Sequence, residues 1–72
     1  MREYAVVYER EPTGIWAAYA PDLPGLTITG DTLKEAERLI HQGIASHIAG
    51  LINDGLPVPE PMTQAAQIAV RV

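Results

Sequence analysis

The 72-residue chain contains no cysteine, so neither a disulfide nor a thiolate–zinc site can hold it together. Basic residues are few: Arg2, Arg10, Lys34, Arg38 and Arg71 are scattered against nine acidic side chains. Phosphate backbones are bound by clustered Lys and Arg, so a net charge of −4 argues against direct binding of nucleic acid. No apolar run approaches the ~20 residues of a membrane span. Glu3, Glu9 and Glu11 interrupt any signal-peptide pattern, and a cytoplasmic location is the expectation. Glycine-rich phosphate loops and calcium-binding loops are absent, and Ser46 is the only serine. On a helix its neighbour His47 points about 100° away, so the two form no nucleophile–base pair.

What the chain does have is apolar content, 47% of its residues. A domain of this size buries only about 60% of the surface its unfolded chain exposes. With no staple available, self-association is the remaining stabiliser, and a homodimer or higher oligomer is expected. The acidic surface suits a basic protein partner.

Tyr4 to Glu9 and Ile15 to Ala20 read as two strands of a hairpin, with Pro12 and Gly14 in the turn. Both are apolar on both faces, whereas a sheet with one wet face alternates apolar with polar. Each face therefore needs a cover: this chain's one long helix on one side, a second subunit or a partner on the other. Leu26 to Thr29 is a short third strand. Thr32 and Glu35 make a T-x-x-E capping box, with Asp31 adding favourable charge at the helix start. The helix should run to about Asp54 and stop at Gly55 in the left-handed conformation. Its inward stripe reads Leu33, Ala36, Ile40, Ile44, His47 and Leu51. Ala36, Gly43 and Gly50 line one edge of that stripe, which suggests that another backbone approaches there, the alternative being simple tolerance of glycine in a long helix. Pro57, Pro59 and Pro61 force an extended segment. Met62 to Ala66 can add a helical turn, and "QIAVRV" alternates as a final strand. The expected fold is α+β, β-β-β-α-β, a small sheet with one long helix on one face.

No set of residues carries chemistry, and no catalytic, cofactor-binding or metal site is expected. Two-metal sites need acids converging from adjacent strands to hold ions about 4 Å apart, and the strand interiors carry none. Asp22 sits in a loop, Asp31 and Glu35 have a capping role, and Asp54 ends the helix. His41 and His47 are six residues apart and miss the i, i+4 spacing of helical zinc pairs. His41 is placed toward solvent, where Glu37 can pair with it. His47 reads either as a core histidine bonded to backbone or as a group that meets a partner. Tyr4, Tyr8, Trp16, Tyr19 and His47 are the candidate interface residues.

The stretch "PDLPGLTITGDT" has a backbone reason for each feature. Pro21 and Pro24 stiffen a crossover, Gly25 permits a bend, and Gly30 breaks the strand before Thr32 starts the helix. Together with the later "GLPVPEP", it resembles the N-terminal domain of HicB-like antitoxins. The residues that carry the resemblance are Pro21, Asp22, Pro24, Gly25, Gly30, Asp31, Thr32, Glu35, Ala36, Gly55, Pro59 and Pro61. Leu26 stands where that pattern very often has cysteine. The resemblance implies a partial ribonuclease-H-like arrangement without the nuclease carboxylates. It implies a non-enzymatic protein that occludes a small basic HicA-like toxin, itself a ribonuclease that degrades messenger RNA. The expectation is one HicB-like domain over residues 1–72, with no C-terminal DNA-binding module. The alternative is an orphan oligomeric binding or structural module without a toxin.

Overall fold

The computed structural model describes all 72 residues. Strands β1 (Val7–Arg10), β2 (Trp16–Tyr19) and β3 (Thr27–Gly30) form an antiparallel sheet with β2 in the centre. Helix α1 (Leu33–Asn53) packs across one face of it. This is the expected α+β class, in the order β-β-β-α.

The β1–β2 turn follows from its glycine. The Glu11 N–H donates to the Ile15 carbonyl and the Gly14 N–H to the Glu11 carbonyl, both at 2.8 Å. Gly14 takes a φ of +91°, the bulge position of a three-residue hairpin loop. Val7 faces Tyr19 in the ladder, and two residues further back Ala5 would face Pro21. Proline has no N–H to donate, so the ladder stops and Tyr4 to Val6 run on beyond the sheet. At the other end of β2, the Leu26 N–H reaches the Leu23 carbonyl at 3.3 Å around Pro24 and Gly25. Pro followed by Gly at a φ of +86° is the type II pairing of turn residues. Leu23 anchors this loop, with 1% of its surface exposed.

The helix boundaries have chemical stops. The Thr32 hydroxyl accepts the Glu35 N–H at 3.1 Å, and Thr32 is the N-cap. The Glu35 carboxylate makes no return bond, so half of the expected capping box forms. At the far end, the Gly55 N–H bonds to the Ile52 carbonyl and the Leu56 N–H to the Leu51 carbonyl. That pair of bonds, with Gly55 at a φ of +70°, is a Schellman stop at the expected glycine.

The core is small. Ala18 from β2 meets Ala36 and Ile40 from α1, and Val6, Tyr8, Trp16, Leu26, Ile28 and Ile44 pack around them. Only the middle of the expected inward stripe is deeply buried, while Leu33 in the first turn is exposed. The reason is length: a 21-residue helix spans about 31 Å, and four-residue strands span about 13 Å. Gly30 lies opposite Trp16, and a Cβ there would sit 2.8 Å from the Ala36 backbone nitrogen. A Cβ on Gly43 would meet the Leu26 side chain at 3.2 Å, whereas Gly50 faces open space. The close neighbour at Gly43 is thus a side chain rather than a second backbone.

Residues 57–72 form neither helix nor strand. The helical turn expected over Met62 to Ala66 is absent. "QIAVRV" alternates as a strand does, but none of its backbone groups bonds to another strand: Ala65 and Gln67 flank Val6–Tyr8 across a cleft and make no ladder with β1. Ile68, Val70 and Val72 are 83%, 73% and 118% exposed.

Candidate functional site

Residues 57–63 form a strap tied to the body by side chains. Asp22 is its main fastener. One carboxylate oxygen accepts the Met62 and Thr63 N–H groups, each at 2.9 Å, and the other accepts the Thr63 hydroxyl at 2.8 Å. Three donors on one carboxylate favour its charged form. The Thr63 N–H, then the Thr63 hydroxyl and the Met62 N–H, hold Asp22 below the usual carboxylate range. The Tyr4 hydroxyl donates to the Pro59 carbonyl at 2.6 Å. Arg2 donates to the Val58 carbonyl at 3.3 Å and pairs with Glu60 at 3.1 Å, both exposed. The Asp22 loop was legible from the sequence as a turn, not as this fastener, because its partner lies 41 residues away.

Helix α1 leaves the other face of the sheet uncovered. Side chains alternate along strands, and Tyr8, Ala18 and Ile28 take the core side. Val7, Ala17 and Tyr19 therefore lie on the open side, where they are half-buried, with Glu9, Thr27 and Thr29 exposed around them. The Glu9 carboxylate raises the Tyr19 phenol above its ordinary value, first as hydrogen-bond acceptor and second as a charge. On the core side, burial and then the charge of Glu37 raise Tyr8.

The family-motif residues hold the backbone in shape. Pro21 ends the ladder, Asp22 fastens the strap, and Pro24 and Gly25 make the turn. Gly30 admits the helix start, Thr32 caps it with the Glu35 N–H, and Ala36 is fully buried. Gly55 stops the helix, Pro59 accepts the Tyr4 hydroxyl, and Pro61 lies half-buried in the strap; Asp31 is exposed. The candidate interface residues are not brought together. Tyr8 and Trp16 pack on the core, Tyr4 is committed to the strap, and Tyr19 stands on the open face. His47 is half-buried on α1 without a hydrogen bond, and His41 is exposed. The pairing considered between Glu37 and His41 is not made; the ion pair present is Arg2 with Glu60.

No group of three His, Asp or Glu side chains lies close enough to hold a metal ion. Two clefts flank the strap. One, of about 720 Å³, separates Glu3–Val6 from Pro61–Ala65. The other, of about 390 Å³, lies between Ile44, Ile48 and Ile52 on α1 and Arg2, Tyr4 and Val58. Neither gathers a set of acids, bases and nucleophiles. No helix is long and apolar enough to cross a membrane.

The family described as HicB-like antitoxin of bacterial toxin–antitoxin systems matches residues 4–71. A UPF0150 protein of Synechocystis sp. is 39% identical over 57 residues, covering 79% of this chain and 72% of that protein. No solved structure matches the chain.

Proposed function

Since the chain belongs to the HicB-like antitoxin family of bacterial toxin–antitoxin systems, we propose that it neutralises a small basic HicA-like ribonuclease by covering its RNA-binding surface. The observation that carries this reading is the family match, which runs over residues 4–71. Two physical features support it. The net charge of −4 favours encounter with a basic protein. The open face of the sheet offers an apolar patch, Val7, Ala17 and Tyr19, with the Glu9 carboxylate at its rim. Tyrosine is enriched among residues that dominate binding energy, so Tyr19 is the proposed anchor and Glu9 the steering charge.

We further read the protein as a single HicB-like domain acting in the cytoplasm as a homo-oligomer, with no catalysis of its own. The β-β-β-α core is the opening portion of the ribonuclease-H-like arrangement, without converging acids in its strands. Binding by this acidic protein is directed at the toxin and not at RNA.

Co-expression tests the reading. A HicA-like toxin from a neighbouring gene is induced alone, with this chain, and with a Glu9→Lys/Tyr19→Ala variant. Growth and messenger-RNA integrity are followed. Rescue by the native chain, and its loss with the variant, is expected. Failure of the native chain to restore growth against an active toxin would refute the antitoxin reading and leave the orphan binding module.

A further inference from the structure

We propose that the cleft between β1, the start of α1 and the tail receives the guanidinium side chain of an arginine from a basic protein partner, with Tyr8 and Trp16 as its walls and Glu37 as its counter-charge. The proposal rests on the reading above, in which the partner is a small basic protein, and names one contact that such a partner makes.

The cleft has a volume of about 510 Å³, within the range of about 300–1,000 Å³ usual for ligand sites. Of the candidate aromatic residues, Tyr8 and Trp16 alone share it. They come from neighbouring strands and both face the helix side of the sheet. Each packs on the core, stays half-buried, and turns its remaining surface to the cleft. Leu33 and Glu37 are four residues apart, so they stand one turn apart on the same face of α1 and line the same space. Burial and then the Glu37 charge raise the Tyr8 phenol, which agrees with a carboxylate held near that ring. Ala65 and Gln67 of the tail close the remaining side.

Glu37 has no counter-charge of its own. It is exposed, and the ion pair that forms in the chain joins Arg2 to Glu60. Lys34, Arg38 and Arg71 are exposed and lie outside the lining. Arg10 faces Trp16 across the ladder, yet it too is exposed, outside the lining and unpaired. The chain's own cations therefore leave the cleft open.

The lining selects the ligand. Glu37 is its only charge, so an anion is repelled and a cation drawn in. A cation over the face of Trp or Tyr is attracted by the ring's negative face. Guanidinium is planar, weakly hydrated and always charged, so it stacks on a ring and still offers a fork of N–H donors to a carboxylate. Its aliphatic stem lies well against apolar surface, here Val6, Leu33 and Ala65. The ammonium of lysine is compact and strongly hydrated, and gains less between two rings. Val7 joins the cleft to the proposed binding face: it lines the one and belongs to the apolar patch of the other, so the two adjoin at the edge of β1.

The experiment uses the intact, isotope-labelled chain and N-acetyl-arginine amide as the probe, followed by NMR. Trp16 is the only tryptophan, so its indole N–H gives a single resonance from a cleft residue. The expected result is a saturable shift of that resonance and of the Glu37 amide. The citrulline analogue keeps the shape without the charge and should bind at least fivefold more weakly. Glu37→Gln, an exposed change that keeps the fold by circular dichroism, should weaken arginine binding by a similar factor. Asp54→Asn removes the same charge at the far end of α1 and should bind as the native chain does. Equal binding of arginine and citrulline, an equal loss in Asp54→Asn, or shifts that never saturate overturn the site. Equal binding of N-acetyl-lysine amide overturns the choice of arginine. Toxin rescue is read separately. A chain that takes the probe but fails to restore growth overturns the antitoxin reading alone, and one that restores growth but ignores the probe overturns this site alone.

Discussion

Replacing Gly50 by alanine adds one methyl group to the exposed flank of α1. Gly50 is in the last turns of the helix, and a Cβ there meets no atom within 4 Å. Glycine in a helix costs about 1 kcal/mol relative to alanine, chiefly in backbone entropy. Nothing in the chain opposes that gain, so Gly50→Ala should stabilise by about 1 kcal/mol. With an unfolding entropy near 2.1 cal/mol/K per residue over 72 residues, Tm should rise by about 7 °C. Two companions bracket the argument. Gly43→Ala makes the same helical gain but meets Leu26 at 3.2 Å, so its net effect should fall below that of Gly50→Ala. Gly30→Ala places its Cβ 2.8 Å from backbone and should destabilise. Thermal melts of the three variants, followed by circular dichroism at fixed protein concentration, check the order. A lowered Tm for Gly50→Ala would refute the reasoning and mean that a second backbone approaches α1 at that point.

Two further outcomes are expected. Ile40→Ala removes the largest side chain of the buried cluster, which is 2% exposed, and should cost about 2–5 kcal/mol in urea unfolding. A chain of 72 residues has about 4–11 kcal/mol in total, so this variant should lose a large fraction of its stability. The Asp22 fastener should release in acid. Its folded pKa lies below the unfolded value, so the contribution is complete above about pH 4 and lost as pH falls through the lowered value. The Thr63 amide resonance, titrated from pH 6 to 2, should move with that release; Asp22→Asn should show the released position at every pH, and an unmoved amide would refute the role.

The parts of the fold legible in the sequence are those specified by neighbours in the chain. Thr32 and Gly55 mark the helix ends through bonds spanning three to five residues, and Gly14 and Gly25 mark turns by their own φ. Strand limits shifted where a partner decided them: Tyr4 to Val6 have β propensity, but Pro21 across the ladder withholds its hydrogen bonds. The alternation of Ile68, Val70 and Val72 is a propensity for a strand, and propensity does not supply a neighbour. Asp22 was read as part of a turn, because no local pattern announces a carboxylate that fastens residues forty positions away. Leu23 passed unnoticed for a similar reason: one apolar residue between two prolines has no periodicity, though it is among the most buried side chains. The character of the candidate surface, apolar and acidic, was legible, but His47 shows the limit. Its place on the stripe was readable, and its lack of a hydrogen bond was not.

The strap also sets an order of events during synthesis. The hairpin, the third strand and α1 follow one another along the chain, and their turns and caps close over a few residues. The ties of the strap span 40 to 58 residues. Closing so long a loop costs entropy that only existing structure at both ends can repay, so these ties come late. As a ribosome delivers the chain, Asp22 emerges long before Thr63, and its carboxylate waits in water while the sheet and helix assemble. During that interval the outer edge of β1 is bare, because the tail that flanks Val6–Tyr8 has not yet been made.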